Sequence, residues 1–417
     1  MSDALLMLVH RIPYPPNKGD KIRSFHMFQH LCEHYQVHLG TFIDDPKDWA
    51  HVKTVQEMCN GGESLFCPLG DWTKRIRAGV GILSGQAYTT AVYRDRTMAR
   101  WVEKMRQKHQ IKRVMIFSSS MAQYVDAPQW QGAGIHRVID FVDVDSQKWV
   151  QYGGNSLNPR RIIDWLEGRR LLQLEKKWSQ LFDTSLFVSA AEANLFRSLA
   201  PEATERIDYV ENGVNFHQFD PNLNHADPYQ DRSLFPEPVI PLVFTGAMDY
   251  FPNIEAVVWF AEKVFPKVRQ QLPNALFAIV GSRPAVRVTA LAEQPGIHVT
   301  GWVDDVRPWV AHARMMVAPL QTGQGIQNKV LEGMAMARPV LATTLAMEGI
   351  DRPDALNALV TDDPDRQADL AVEQLETGRW ESLGIQGRQW VQQRYDWPAL
   401  LQKLSDALEA QPRADAS

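Results

Sequence analysis

The chain predicts an α/β protein built as two doubly wound parallel-sheet domains facing across a cleft, and three observations carry that prediction. Short apolar runs of strand length alternate with amphipathic stretches of helical period along most of the chain. The alternation halts at a polar, proline-bearing segment around residues 217–241 and then restarts. A chain of 417 residues also holds enough material for two cores of about 200 residues each, where one would outgrow an ordinary domain. The first domain is therefore placed at residues 1–215, a linker at 216–240 and the second domain at 241–395. A last helix, 396–410, is expected to pack back toward the first domain, and the polar tail 411–417 to be disordered.

Taken in order, residues 5–9 form the first strand, and 13–20 a loop that prolines stiffen and Gly19 closes. Gly19 is either a plain turn glycine or a point where a ligand phosphate or sugar approaches the backbone. A helix at about 22–34 follows, then strands at 37–42, 64–66, 113–117, 137–141 and 185–188, with helices between them. The longest of these helices is expected at about 145–182. A strand near Asp208 ends in the Asn212-Gly213 turn, which closes the domain. Beyond the linker, strands are expected at 242–245, 275–280, 297–300, 315–320, 340–342 and 358–360. Helices are expected at 253–271, 285–292, 305–312, 365–376 and 381–395. Trp101, Trp165, Trp178, Trp259 and Trp390 occupy apolar helix positions and read as core.

The strongest local signal is residues 323–335. Gly323 and Gly325 follow the apolar run at 315–320 and open a segment whose Ile326, Val330, Leu331 and Met334 recur at helical spacing. In a parallel sheet this order sets a helix N-terminus, with its unpaired N–H groups, at the carboxyl edge where ligands bind. Gln327 and Lys329 fall in the first turn and Glu332 one turn deeper. One short helix thus offers a cation for phosphate and a carboxylate for hydroxyls.

Composition excludes several function classes. Apolar content of 45% and charged content of 22% belong to a folded chain rather than a disordered one. Cys32, Cys59 and Cys67 are odd in number and lack metal-ligand spacing, so neither a disulfide framework nor a cysteine metal site is expected, and a cytoplasmic setting is. A net charge of -5 argues against a general nucleic-acid binder. That charge divides into about +3 up to residue 215 and about -8 after it, so the first half is the one to meet an anionic surface. The proline-rich first loop lacks GxGxxG, which removes support for NAD. No run of eighteen apolar residues occurs.

The second half resembles a known family through motifs that occur in the expected order. They are Phe244-Thr245-Gly246-Ala247-Met248-Asp249-Tyr250-Phe251-Pro252-Asn253, the Ile279-Val280-Gly281 turn, Gly301-Trp302-Val303-Asp304-Asp305, Val317-Ala318-Pro319-Leu320 and the segment 325–339. Together these resemble the GT-B glycosyltransferases of family 4, whose two Rossmann-like domains carry a Glu-x7-Glu motif. The loop at 12–23 and Asp140-Phe141-Val142-Asp143-Val144-Asp145-Ser146 are similar to the branch found beside exosortase/PEP-CTERM exopolysaccharide clusters.

The resemblance implies a donor nucleotide-diphosphate sugar, retention of anomeric configuration, no cofactor and no metal. Glu332 matches the second motif glutamate, which holds the donor ribose, while the first falls on Gln324, a departure that adds no negative charge toward the reacting sugar. The Arg and Lys that many relatives carry after the first strand of this domain are missing from 247–253, which leaves Lys329 as the phosphate cation and Arg283 as a second candidate. Gly246, Val303, Gly325, Ile326 and Gln327 are the further expected substrate contacts. In the first domain, Asp143 stands near where many relatives have a His, facing donor sugar or acceptor hydroxyl; the competing reading of this stretch is a plain helix N-cap at Asp145. His10 and Arg11, at the end of the first strand, lie on the same edge.

The implied acceptor is a glycan, lipid-linked in much of the family, which would bring the chain to the cytoplasmic face of the inner membrane as a peripheral protein. Residues 72–83 combine Lys74, Arg75 and Arg77 with Trp72 and aliphatic residues, a composition suited to resting on anionic lipid. Two readings compete with the transferase: a catalytically weak nucleotide-sugar binder, suggested by Gln324, and a sugar-nucleotide epimerase of the same fold.

Overall fold

The computed structural model describes residues 3–16, 19–131, 134–154, 160–323 and 325–410, with backbone alone at 151–154 and 160–162. Two compact units emerge: Met1–Glu211 together with the chain from Leu401 onward, and Asn212–Leu400.

The strands of the first unit are β1 (Ala4–Val9), β2 (Gln36–Ile43), β3 (Ser64–Pro68), β4 (Arg113–Phe117), β5 (His136–Val142), β6 (Thr184–Phe187) and β7 (Ile207–Tyr209). They form one sheet in the order β3-β2-β1-β4-β5-β6-β7, with all pairs parallel. Met7 of central β1 lies opposite Leu39 and Met115, and Leu5 through Val9 are fully buried. Helices on both faces of a parallel sheet explain why these strands read as unbroken apolar runs. They are α1 (Gly19–His34), α2 (Val52–Met58), α3 (Asp71–Leu83), α4 (Tyr88–Val92), α5 (Arg96–His109), α6 (Asp145–Gly154), α7 (Arg160–Leu181) and α8 (Ala190–Leu199).

The second unit contributes β8 (Ile240–Thr245), β9 (Ala275–Val280), β10 (Ile297–Gly301), β11 (Met315–Ala318) and β12 (Val340–Ala342), in the parallel order β10-β9-β8-β11-β12. Its helices are α9 (Phe251–Lys263), α10 (Phe265–Gln271), α11 (Val286–Thr289), α12 (Arg307–Ala311), α13 (Asn328–Ala335), α14 (Pro364–Thr377) and α15 (Glu381–Arg394). The last helix, α16 (Trp397–Glu409), starts in this unit and from Leu401 belongs to the first. Strand order reverses between β1 and β4 in one sheet and between β8 and β11 in the other, so each sheet has a crevice at its carboxyl edge there.

Several sequence expectations are corrected. The helix expected at 145–182 is two helices, α6 and α7, packed side by side: a Cβ on Gly168 would lie 2.8 Å from the Ser146 carbonyl oxygen. The helix expected at 253–271 is divided at Val264, ahead of Pro266. The strand expected at 358–360 is largely a 3-10 turn (Asp354–Leu359) that touches the sheet through one bridge from Val360 to Ala342. Trp178 is core, but Trp165 is exposed, with the Arg169 guanidinium 4.8 Å above its ring. Gly19 is the first residue of α1 with open space about it, not a closing turn.

Candidate active site

Gly246 ends β8 and Gly281 ends β9, and the two backbones touch. A Cβ on Gly281 would sit 1.7 Å from the Gly246 carbonyl oxygen, and one on Gly246 would sit 2.6 Å from the Asn253 amide nitrogen. Any side chain there would force the strand ends apart, so glycine is required by close approach. Below them, buried Asn253 donates to the Ala247 carbonyl (2.9 Å), while its own oxygen has no protein partner. Beyond Gly281, Arg283 adopts a left-handed conformation and is exposed, paired with Asp249 at 3.1 Å. Val303 is half-buried past the Gly301 turn, next to exposed Trp302.

Across the switch point, β11 runs into the glycine turn. Gly323 and Gly325 both have positive φ, 126° and 78°, and Ile326 is buried. Helix α13 begins at Asn328, three residues later than Gly325: Gln327 is its N-cap residue, and 325–327 are loop. The Gln327 amide folds back to donate to the Gly325 carbonyl (3.0 Å), so no side chain caps α13. Its first-turn amides and the helix dipole together suit an anion. Gln324 lies outside the described residues.

Lys329 and Glu332 occupy one turn of α13. The Lys329 ammonium donates to the Gln327 side-chain oxygen (3.2 Å) and stands 5.3 Å from the Phe244 ring, so it reaches from β11's helix to β8. Burial pulls the ammonium down to about 8, against the pull of Glu332. Burial likewise pushes the Glu332 carboxyl up to about 7, with Lys329 opposing. A half-buried cation and a half-buried carboxylate on one helix turn, each shifted toward neutrality, suit charged or hydroxylated ligands.

In the first unit, Asp143 follows a strand end of unusual geometry. Val142, a β-branched residue, has φ of 71°, and its amide is held by the buried Asp140 carboxylate (3.0 Å). That carboxylate is itself fixed by Arg23 of α1 at 2.7 Å. Such backbone strain aims the next side chain, and here Asp143 meets the Lys148 ammonium at 2.5 Å, with Asp145 at 3.4 Å. The cation that the Asp-Val-Asp carboxylates face is thus a lysine. Burial lowers the Lys148 ammonium, but Asp143 and Asp145 outweigh it and raise it above the usual range. His10 stacks on Phe117 and lies 3.5 Å from Asp20, while Arg11 is held by Asp20 and Asp44. Among the described residues, His30, Glu33 and His34 of α1 are the group that could hold a metal, with ligand atoms within 4.8 Å of one another. Their helix belongs to the first unit, not to the β8–β11 edge.

Sequence reasoning missed three features of the second unit. Phe244 floors Lys329, and Asn212 donates to the Asn328 side chain (3.3 Å), tying the turn after β7 to the start of α13. The third is a cavity of about 800 Å³ between Leu320, Gln321 and the loop carrying Met347, Glu348, Asp351 and Arg352. It borders the glycine turn, but Lys329 and Glu332 do not line it. The Asn212-Gly213 pair was a usable signal; nothing local announced the other two.

Residues 240–377 match the family described as glycosyl transferases group 1, a stretch that runs from β8 through α14 and contains the second-unit residues from Gly246 to Glu332, but not Asp143 or the other first-unit residues. The chain is a glycosyltransferase of the GT-B fold. The fold is shared with a glycosyltransferase from Rickettsia africae at 15% identity, TM-score 0.66, covering 98% of each chain. WaaG, a glycosyltransferase of lipopolysaccharide biosynthesis, is also 15% identical, with TM-score 0.66 over 97% of this chain and 100% of its own. HepE of Anabaena, solved with UDP and glucose, is 12% identical, with TM-score 0.64 over 97% and 99%. No curated protein matches the glycosyltransferase in sequence.

Proposed function

We propose that this glycosyltransferase moves a sugar from a nucleotide-diphosphate sugar to a lipid-linked glycan in exopolysaccharide assembly, at the cytoplasmic face of the inner membrane. The observation that carries the donor half is the pairing of Lys329 and Glu332 at an uncapped helix start beside the glycine edge of β8 and β9. HepE, which has the same fold, binds UDP and UDP-glucose. The exopolysaccharide and lipid-linked parts rest on the sequence resemblance to transferases of exosortase/PEP-CTERM clusters.

In this reading the Glu332 carboxylate accepts from ribose hydroxyls, contacts worth about 1.5 to 3 kcal/mol each. Lys329, with the amides of Gly325, Ile326 and Gln327, takes the diphosphate. As the anomeric C–O bond breaks, its electron pair goes to the diphosphate, where Lys329 and the helix dipole stabilise the charge. The acceptor hydroxyl adds from the same face, giving retention, and its proton passes to the departing phosphate oxygen. No enzyme nucleophile is needed. Asp143, with Lys148, orients the sugar or acceptor hydroxyl.

Glu332→Ala tests the assignment. Transfer from a sugar nucleotide to a membrane-lipid extract should fall about tenfold to a hundredfold in kcat/KM, the loss of one or two such hydrogen bonds. Undiminished transfer would remove Glu332 from the site. The glutamine at position 324 favours a second reading, a nucleotide-sugar binder without turnover. Ligand-dependent thermal protection with no acceptor-dependent nucleotide release would support that one.

A further inference from the structure

Helix α3 is inside out. A surface helix normally buries its apolar stripe and shows its charges to water. Here the buried positions are Ala78 and Gly81, and a Cβ on Gly81 would lie 2.4 Å from that of Ala91. Two of the helix's three cations turn inward with them. Lys74 reaches Asp44 at 3.2 Å, and Arg77 reaches Asp95 at 2.6 Å and the Val92 carbonyl at 3.2 Å. Trp72, Ile76, Val80 and Leu83 point outward. Spaced four, four and three residues apart, they lie within about 80° of arc, and Trp72 is 78% and Leu83 90% exposed.

Single exposed apolar residues are ordinary, but an unbroken row along one helix is not. Glu167 of α7 fixes the corner after α3 by accepting from the Tyr88 and Thr89 amides, and Arg170 donates to Gln86 at 3.3 Å. Beside that corner α7 exposes Ile163, Trp165 and Leu166. Arg75 faces out next to the row and Arg169 covers Trp165; neither has a carboxylate partner among the described residues. The pattern is an apolar ridge along α3 with Arg75 beside it, and further exposed apolar residues on α7. Among the described residues no helix is long and apolar enough to cross a membrane, so such a ridge would lie on a bilayer rather than span it.

The inner side of the same helix supports the choice of occupant. A cavity of about 360 Å³ lies between α3, α4 and α6, lined by Lys74, Tyr88, Tyr93, Asp145, Lys148 and Trp149. Aromatic faces and paired charges in a space of this size suit one or two sugar rings. An amphiphile with a glycosyl head and an apolar tail would meet the cavity with one end and the ridge with the other.

We infer that the outer face of α3 docks the first unit on an anionic lipid surface, its apolar row entering the headgroup boundary with Arg75 and Arg169 at phosphate level. Its use rests on the lipid-linked acceptor proposed above; its existence does not. It also revises the composition-based expectation, because two of the three cations that suggested lipid are spent on Asp44 and Asp95, and the aliphatic row carries the contact.

Flotation of the full-length protein with vesicles of equal parts phosphatidylcholine and phosphatidylglycerol tests this. Wild type should float, and the combined Ile76→Ser, Val80→Ser, Leu83→Ser variant should bind at least about tenfold more weakly. Those side chains are exposed, so its melting temperature and nucleoside-diphosphate binding should not change. Arg75→Gln should weaken binding about fivefold on these vesicles, and salt should reduce the difference. A wild-type protein that stays in the soluble fraction, or a triple variant that floats as well as wild type, overturns the inference. So does self-association that the triple variant abolishes while vesicles are ignored, since a second copy would then own the ridge. Glu332→Ala should float normally. Loss of transfer with flotation intact, or the converse, therefore separates failure of the catalytic reading from failure of this one.

Discussion

In the proposed donor site, Lys329 and Glu332 form a pH-dependent pair. Lys329, lowered to about 8, loses its charge as pH rises through that value. Glu332, raised to about 7, loses its charge as pH falls through that one. Both are ionised only in a narrow window, so kcat/KM for the donor should be bell-shaped with limbs near these values. Bound diphosphate favours the ammonium, so the alkaline limb of kcat should lie higher than that of kcat/KM, and Lys329→Met should abolish it. A flat profile from pH 7 to 8 and beyond would contradict the assignment. A second residue-scale prediction concerns Glu175, buried and pushed up to about 8, which accepts from the Ser146 amide while its other oxygen has no partner. Its folded value exceeds the unfolded one, so the stability it contributes is fully present below about pH 4.5 and is lost as pH rises through about 8. Glu175→Gln should therefore melt a few degrees higher than wild type above pH 8 and no higher near pH 4.5, measured by thermal unfolding. Lys329 and Glu332 could be read from their spacing after a glycine turn. Glu175 could not, because its burial depends on α6 folding back over α7, a tertiary fact with no local signature.

At the scale of elements, the β8 and β9 ends work as one piece. Gly281→Ala puts a methyl group into the Gly246 carbonyl, so the strand ends must part. Overpacking of this kind costs about 1 to 3 kcal/mol, and here it also displaces the edge against which Lys329 is set. Lower thermal stability together with lost nucleoside-diphosphate protection is the expected result; Gly19→Ala, in open space at the start of α1, should change neither. Strands were the most legible elements, since a parallel sheet covered on both faces writes each as a closed apolar run. Helices were legible in type and less so in extent. Periodicity continues across Val264, but Pro266 interrupts the helix there where the pattern does not. The same limit placed α13 too early: Ile326 keeps helical phase with Val330, although Gln327 bends back to Gly325 and the first turn starts after it. In α3 the apolar spacing was visible, but which side it faced was set by Asp44 and Asp95, each far away in sequence.

At the scale of the molecule, the chain leaves the first unit at Glu211, completes the second, and returns at Leu401. The return is a structural part of the first unit. Leu401, Leu404 and Leu408 of α16 are buried. Glu409 accepts from Tyr35 and from Arg113 (2.6 Å), His136 meets the Ala407 carbonyl at 2.6 Å, and Ser405 bonds His30 at 2.7 Å. Those partners come from α1, β4, β5 and the turn before β2, so residues 1–211 alone leave an apolar groove and several polar groups unsatisfied. Deleting the chain from Leu401 should therefore lower the first unit's melting transition sharply, and Leu404→Ala should lower it less, by about 2 to 5 kcal/mol. The second unit holds Lys329, Glu332 and the glycine edge entirely within Asn212–Leu400. Its transition should still rise with nucleoside diphosphate, by about 2.7 kcal/mol at a hundred times the dissociation constant. Calorimetry of the truncated chain with and without ligand separates the cases. Two transitions, one lowered and one still ligand-responsive, would establish that the returning helix serves the first unit alone. A single transition that falls and no longer responds to nucleotide would mean that the units melt together, and that α16 holds the donor site as well as the fold it returns to.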